Sequence, residues 1–119
     1  MDDEVPEAEL VSRARGGDHA AFAALVQRYQ QPLGGYLARL TGDHAIVPDL
    51  VQETFVRAYR GLGTTRPDLL VRPWLYRIAT NLAYDELRRR RRVTWLPLDA
   101  AADRAIRAGS SSRRLGRAG

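Results

Sequence analysis

Residues 74–92 read WLYRIATNLAYDELRRRRR, and this stretch carries two helical patterns at once. Spacings of three and four residues predict that its apolar side chains form one face, directed to a core: Trp74, Leu75, Ile78, Ala79 and Leu82. The opposite face gathers polar, aromatic and basic side chains: Arg77, Thr80, Asn81, Tyr84 and Arg88. The stretch therefore predicts a helix that packs on one side and presents a distinctive surface on the other.

The residue types of this second face suit nucleic acid. Arginine neutralises phosphate, asparagine and threonine form hydrogen bonds with exposed base edges, and tyrosine offers a ring to an unstacked base. The alternative is a solvated helix face that ends in arginines, which the negative end of the helix dipole favours. This segment alone does not decide between the two.

The charges of the chain are distributed unevenly. The 119 residues suffice for one domain, and 45% hydrophobic and 28% charged residues are typical of a soluble globular chain. Residues 1–53 carry nine acids and four arginines, whereas residues 54–119 carry five acids and fifteen arginines. We therefore expect the first half to dock on a basic protein surface and the second half to bind a phosphate backbone.

The residue types that are missing exclude several kinds of site. The chain has no cysteine, which excludes disulfides and thiolate metal sites, and no lysine, which excludes a Walker-type phosphate lysine and a Schiff base. His19 and His44 each stand alone in a short polar stretch, where a surface or capping role is expected in preference to metal ligation. We expect no cofactor and no enzymatic activity.

No segment has the composition of a membrane span or an export signal. No apolar run approaches the roughly 18 to 20 residues that a membrane-spanning helix needs, and the acidic start MDDE is unlike a signal peptide. We expect a cytoplasmic protein without a membrane span.

Helix start and stop signals divide the first part of the chain. Pro6 and the glycine pair at 16–17 bound a first helix, and Asp18 is the expected N-cap of a second. This second helix is expected to break at Pro32, after which a further apolar pattern covers residues 33–40. Because strand signals are almost absent, we predict an all-α, compact helical bundle of about four to five helices.

The next predicted helix contains DLVQETFVRAYR at residues 49–60 and ends at Gly61. Its inward stripe is expected to be Val47, Val51, Phe55, Ala58 and Leu62. Its outer side carries Asp49, Gln52, Glu53, Val56 and Arg60. An exposed valine among acids and an amide indicates a small protein-docking patch, but an ordinary solvated face with one stray valine would have the same sequence.

Residues 61–72 (GLGTTRPDLLVR) predict an irregular loop before a helix that begins at Pro73. The loop is expected beside the N-terminal end of the polar face of that helix. Backbone N–H groups at such a place could hold a phosphate or an extruded base.

The order of these segments resembles one family, the bacterial RNA polymerase sigma factors of the sigma-70 type, in particular the small extracytoplasmic-function (ECF) group. The likeness covers residues 8–98, and its matching stretches are ARGGDHAAFAALVQRY at 14–29, TGD at 41–43, DLVQETFVRAYR at 49–60 and RPWLYRIATNLAYDELRRRRR at 72–92. Two long motifs in the right order and at the right separation are a specific signal. The resemblance implies a region 2 domain over residues 1–98 and a flexible arginine-rich tail over residues 99–119.

The resemblance implies a role for each surface. The helix at 49–60 would dock on the clamp of the largest subunit of core RNA polymerase through Asp49, Gln52, Glu53 and Val56. The helix at 73–92 would recognise the promoter minus-ten element and hold the non-template strand open, with the preceding loop as a pocket for a flipped-out base. Its expected DNA-binding residues are Trp74, Arg77, Thr80, Asn81, Tyr84, Arg88, Arg89, Arg90, Arg91 and Arg92.

Two features depart from the family pattern. Trp74 stands where primary sigma factors begin a pair of melting tryptophans, but Leu75 follows it, so Trp74 is expected to be a core or wedge-edge residue. The family's C-terminal region 4, a helix-turn-helix that reads the minus-thirty-five element, is expected to be absent because residues 99–119 leave no room for it. That tail either adds nonspecific phosphate contacts or is a plain disordered end.

Three functional hypotheses remain open at this point. The first is a transcription initiation domain that docks on core polymerase and melts the minus-ten element by capturing single-stranded bases. The second is a general nucleic-acid-binding bundle, with no affinity for polymerase. The third is an interaction module held mainly by an inhibitory anti-sigma protein that covers both surfaces.

Overall fold

A computed structural model describes residues 5–95, with side chains for residues 5–91. This part of the chain forms four α-helices and no strand: α1 (Glu7–Arg15), α2 (His19–Thr41), α3 (Val47–Gly61) and α4 (Val71–Trp95). Short 3₁₀ turns at His44–Ile46 and Leu62–Thr64 lie before and after α3. The predicted all-α bundle is confirmed. The predicted tail, residues 99–119, lies outside the described residues.

The predicted boundary between α1 and α2 is found where the sequence places it. Glycine at position 16 follows the last residue of α1, and Asp18 caps α2 by accepting hydrogen bonds from the backbone N–H groups of Ala20 (3.0 Å) and Ala21 (3.2 Å). α2 ends at Gly42, whose φ of 68° lies in the left-handed region that glycine adopts without a Cβ clash.

The predicted helix break at Pro32 is wrong, because α2 runs through this residue without interruption. A proline inside a helix removes one backbone hydrogen bond and costs about 3 kcal/mol in an isolated helix. Here Pro32 is exposed, while Tyr29, Leu33 and Leu37 on the opposite side are buried and carry the apolar stripe past it. Burial of this stripe offsets the lost hydrogen bond, which is why one long helix forms.

α2 is the central helix, and it packs against α1, α3 and α4. Its buried side chains recur every four residues: Ala21, Leu25, Tyr29, Leu33 and Leu37. The Tyr29 hydroxyl donates a hydrogen bond to Glu7 of α1 at 2.5 Å. Burial, together with this hydrogen bond, raises the pKa of Tyr29 to about 12. The first helix is thereby fixed to the middle of the bundle.

The core face of α3 differs from the predicted stripe. Phe55 and Ala58 are buried as expected, but Val47 and Val51 are only half-buried, and Leu50 and Thr54 take the core positions instead. Thr54 is 0% exposed, and its hydroxyl donates to the Leu50 carbonyl at 2.7 Å. A threonine whose hydroxyl is satisfied by its own helix can be buried at little cost, which composition alone does not show.

The helix α4 begins at Val71, two residues before the predicted start, so Pro73 lies in the first turn, where proline is tolerated. Its buried residues recur every four positions: Val71, Leu75, Ala79 and Ala83. The other members of the predicted apolar face, Trp74, Ile78 and Leu82, are half-buried and flank this line. The polar face is therefore directed outward, as predicted.

The described part of the chain contains neither a membrane-spanning helix nor a metal-binding cluster. No helix within residues 5–95 has the length and apolarity needed to cross a membrane. No group of three His, Asp or Glu side chains in the same range is arranged to hold a metal ion.

Candidate functional site

The outward face of α4 contains three side chains that are open to a ligand. Arg77, Asn81 and Tyr84 are exposed, and Tyr84 retains 46% of its surface. Hydrogen bonds and ion pairs to these three side chains are absent among the described residues. Because their polar atoms have no internal partner, they can contact a nucleic acid without first breaking a protein contact.

Thr80, predicted to belong to the same face, is placed differently. It is half-buried, and its hydroxyl lies 2.6 Å from the hydroxyl of Tyr36 on α2. The Tyr36 ring also contacts the edge of Tyr76, with 5.0 Å between centroids, and the Arg72 guanidinium lies 5.1 Å above the Tyr76 ring. Thr80 thus joins α4 to α2 at the border of the exposed face.

Arg72, Tyr76 and Tyr36 were not singled out from the sequence. Arg72 and Tyr76 precede Thr80 and Tyr84 at a constant spacing of four, so the helical period alone could have placed them on one ridge. Tyr36 lies on another helix, and nothing in the sequence indicates that it meets this ridge. Together the residues form an aromatic and basic border beside the open face.

Trp74 is half-buried and packs against the core, as predicted for a core or wedge-edge residue. It also lies beside the last residue of α3: a Cβ at Gly61 would be 3.8 Å from its ring. Trp74 therefore covers the beginning of the loop between α3 and α4.

The arginine run at the end of α4 is not uniformly available. Arg88 pairs with Asp85, Arg89 pairs with Glu86 at 2.6 Å, and Arg90 pairs with Glu86 at 3.0 Å and with Asp43 at 2.5 Å. Arg91 is exposed and has no ion pair with another described residue. The side chain of Arg92 lies outside the described residues.

The ion pair between Arg90 and Asp43 links α4 to the segment before α3. The hydrogen bond from Arg90, followed by one from the backbone N–H of Ala45, lowers the pKa of the Asp43 carboxyl below its usual range. Arg90 thus has partners within the domain, whereas Arg91 of the same run has none among residues 5–91.

The outer side of α3 is divided between two grooves. Gln52 and Val56 line an apolar groove of about 880 Å³ between α2 and α3, in which Phe22, Val26 and Phe55 form much of the wall. Val56 is half-buried there, so the predicted stray valine is part of an apolar surface. Asp49 and Glu53 instead line a smaller groove of about 450 Å³ toward α4, together with Asp85 and Glu86. One groove is apolar. The other is charged, and its four carboxylates are accompanied by Arg57 and Arg89, which pair with Glu53 at 3.3 Å and with Glu86 at 2.6 Å.

The loop between α3 and α4 is folded into turns. The backbone N–H of Thr65 donates to the Leu62 carbonyl at 3.1 Å, and that of Leu69 donates to the Arg66 carbonyl at 3.1 Å. Leu70 is 73% exposed at the end of the loop, directly before the buried Val71. The loop thus presents surface next to the N-terminal end of the α4 face.

An all-helical domain of this architecture, with an exposed basic and aromatic face on its last described helix, belongs to a known class, the sigma region 2 domains. Residues 25–93 match the family described as Sigma-70 region 2, and the chain therefore belongs to the sigma-70 family. The resemblance inferred from the sequence is confirmed.

Curated relatives are ECF sigma factors. The chain is 41% identical over 87 residues to the ECF RNA polymerase sigma-E factor of Haemophilus influenzae, a match that covers 73% of this chain and 46% of the relative. It is 43% identical over 89 residues to the ECF RNA polymerase sigma-E factor of Escherichia coli K12, covering 73% of this chain and 45% of the relative. The chain thus spans about half the length of the curated relatives that it matches.

A solved structure has the same fold. The NMR structure of an engineered region 2 of sigmaE in complex with GTAAAA has a TM-score of 0.72 and 38% sequence identity to this chain. The match covers 81% of this chain and 100% of the other.

Proposed function

We propose that this domain acts in transcription initiation by docking on core RNA polymerase and by recognising and melting the promoter minus-ten element. The observation that carries this proposal is the partner-free face of Arg77, Asn81 and Tyr84 on α4, in a chain with the fold of a region 2 that was solved with GTAAAA. The bound strand is the non-template strand, with an extruded base in the loop before α4. The role is that of a binding factor, with no catalysis and no cofactor, in the cytoplasm.

Melting follows from differential binding. Unstacking a base costs a few kcal/mol, and a protein offsets this cost only if it binds the separated strand better than the duplex. The exposed asparagine reads a base edge, the tyrosine supplies a stacking surface and the arginine binds phosphate. The two base contacts form only when the bases leave the duplex, so they favour the open state, whereas the phosphate contact is available in both states.

The polymerase-docking residues proposed on α3 are Asp49, Gln52, Glu53 and Val56, directed at the clamp of the largest subunit. The two grooves support this proposal because they give the surface two kinds of contact. The apolar wall beside Gln52 and Val56 can bury a hydrophobic anchor, and the carboxylates of Asp49 and Glu53 can meet basic residues.

An anti-sigma protein is the second proposed partner. The apolar groove between α2 and α3 favours it, since a groove of this kind accepts the apolar face of an amphipathic helix. Binding there would cover Gln52 and Val56 and compete with polymerase for the same surface.

Asn81→Ala is expected to reduce affinity for single-stranded GTAAAA about tenfold, because a good base-edge contact is worth about 1–3 kcal/mol. Affinity for a scrambled strand of the same composition should change less than about twofold, since phosphate contacts remain. Fluorescence anisotropy with labelled strands measures both constants. The matched control is Gln27→Ala, which removes an exposed amide from α2. Equal losses on both strands would rule out base reading by Asn81.

Arg91→Gln is expected to flatten the salt dependence of single-strand binding, with the slope of log K against log salt falling by about 0.7, the value for one phosphate contact. Arg90→Gln should change the slope by less than half as much, because Arg90 is paired with Asp43 and Glu86. The measurement is a salt titration of affinity with each variant. Identical slopes for the wild type and Arg91→Gln would show that Arg91 contacts no phosphate.

A further inference from the structure

One arginine of α1 is bound to the loop between α3 and α4. The Nη1 atom of Arg15 donates to the Leu62 carbonyl at 3.2 Å, to the Thr65 hydroxyl at 2.6 Å and to the Arg66 carbonyl at 3.4 Å, and it also donates to the Thr65 carbonyl. Arg15 is half-buried, and it has no ion pair with a carboxylate among the described residues. A single cationic group thus lies within hydrogen-bonding distance of four neutral oxygens of one short loop segment.

These contacts hold the polar part of a segment whose apolar anchor is the buried Leu62. The turn at Leu62–Thr64 leads out of α3, and the Thr65 hydroxyl donates to the Leu62 carbonyl at 2.6 Å. Beyond it, Arg66 is exposed and lies 3.7 Å from the equally exposed Asp68, a weak surface pair. Hydrogen bonds to a charged donor are stronger than neutral ones, so Arg15 is the main polar anchor of the loop.

The anchored loop lies next to the proposed DNA-binding face. It leads directly into Val71, the first residue of α4, and its start is covered by Trp74. A pocket that is ordered before the extruded base arrives binds the base more tightly, because ordering a loop during binding costs affinity. Arg15 of α1 binds the end of the loop that is farther from α4, so it can keep the loop ordered in the free protein.

We infer that Arg15 is a positioning residue that holds residues 62–66 in the conformation that captures an extruded base. This inference rests on the proposed function and assigns to α1 a part in DNA recognition. Arg15 acts through the loop, whose oxygens are bound to its Nη1, and the salt dependence of binding distinguishes this role from that of a phosphate ligand.

The experiment compares Arg15→Gln with Arg13→Gln in the full chain. Arg13 lies on the same helix and loses the same charge, but among the described residues its side chain pairs with Glu9 alone, at 2.5 Å. Arg15→Gln is expected to weaken binding of single-stranded GTAAAA about tenfold and binding of the scrambled strand less than about twofold, with an unchanged salt slope. Arg13→Gln should alter neither affinity by more than about twofold.

A second readout does not depend on DNA. Amide hydrogen exchange of residues 62–70 in the free protein should accelerate about tenfold or more in Arg15→Gln and remain unchanged in Arg13→Gln. Unchanged exchange in Arg15→Gln would overturn the inference. So would faster exchange with undiminished preference for GTAAAA, or a salt slope reduced by about 0.7, which would make Arg15 a phosphate ligand.

Thr65→Val tests the same contact from the loop side, and it also covers the case in which Arg15→Gln folds poorly. It removes the hydroxyl that accepts the 2.6 Å hydrogen bond from Arg15, so a smaller loss, about threefold, is expected on GTAAAA. Thr65→Val also removes the hydrogen bond to the Leu62 carbonyl, so the double variant should lose less affinity than the sum of the two single losses, and fully additive losses would contradict a shared contact. If the wild-type protein itself shows no preference for GTAAAA over the scrambled strand, the proposed base reading fails and capture by the loop fails with it, while hydrogen exchange still decides whether Arg15 orders the loop.

Discussion

The double variant Gln52→Lys with Glu53→Lys is expected to bind core RNA polymerase at least about 100-fold more weakly than the wild type, a loss of about 2.7 kcal/mol. Both side chains are exposed on α3, so the substitutions leave the core intact. Gln52 lines the apolar groove and Glu53 lines the carboxylate-rich one, so the two changes place positive charge on both parts of the proposed docking surface. Like charges brought together at an interface cost several kcal/mol.

A matched control distinguishes an effect at this surface from a general effect of added positive charge. Gln27→Lys with Glu9→Lys changes the same two residue types by the same net charge, at exposed positions on α2 and α1 that line neither groove. Its affinity for core polymerase should stay within about threefold of the wild type. The affinities can be measured by competition for core enzyme against a labelled sigma factor, with circular dichroism to verify the fold. A comparable loss in both double variants would place the docking surface elsewhere.

Leu37→Ala is expected to lower the free energy of unfolding by about 2–5 kcal/mol, through the lost apolar burial and the cavity that remains. Leu37 is 0% exposed on the central helix α2, which contacts the other three helices of the described chain. A loss of this size is a large part of the roughly 5–15 kcal/mol by which small domains are stable. The melting temperature should fall by about 8 °C or more.

Leu70→Ala is the matched control for this stability effect. The same side chain is truncated, but Leu70 is 73% exposed in the loop before α4, so the free energy of unfolding should change by no more than about 0.5 kcal/mol. Thermal and urea unfolding followed by circular dichroism measure both variants. Equal stabilities of Leu37→Ala and Leu70→Ala would contradict the packing of α2 described above.

The helix boundaries show where sequence patterns are reliable and where they are not. Asp18 was predicted to cap α2 and does so in the structure, because capping depends only on a side-chain oxygen and the backbone N–H groups of the next few residues. Pro32 led to a wrong prediction. The free-energy cost of a proline in a helix is a local quantity, and it is outweighed here by the burial of Leu33 and Leu37. Local interactions can be inferred from neighbouring residues, whereas burial depends on the rest of the bundle.

The core register was predicted in part. Leu75 and Phe55 were placed correctly in the core, whereas Leu50 was missed. Ala83 and Thr54, both 0% exposed, were missed because alanine is common on either face of a helix and threonine is usually exposed.

For the proposed DNA-binding face, the helical period of residues 74–92 was enough to place Arg77, Asn81 and Tyr84 outward. It could not distinguish Arg90, paired with Asp43 from 47 residues earlier, from Arg91, which has no such partner among the described residues. Nor could it show that Arg15 of α1 binds the loop before α4. Each of these contacts joins residues far apart in the sequence.

The sequence by itself determined the helical class and the outward face of α4, since these follow from residue types repeated at fixed spacings along one segment. It also indicated the family, through the resemblance of its long motifs to those of sigma factors. Tertiary structure alone decided the continuity of α2, the division of the α3 surface into an apolar and an acidic groove, and the attachment of the loop to Arg15. The physical reason is that a periodic pattern fixes which way a side chain points from its own helix, whereas its partner is set by how the helices pack against one another.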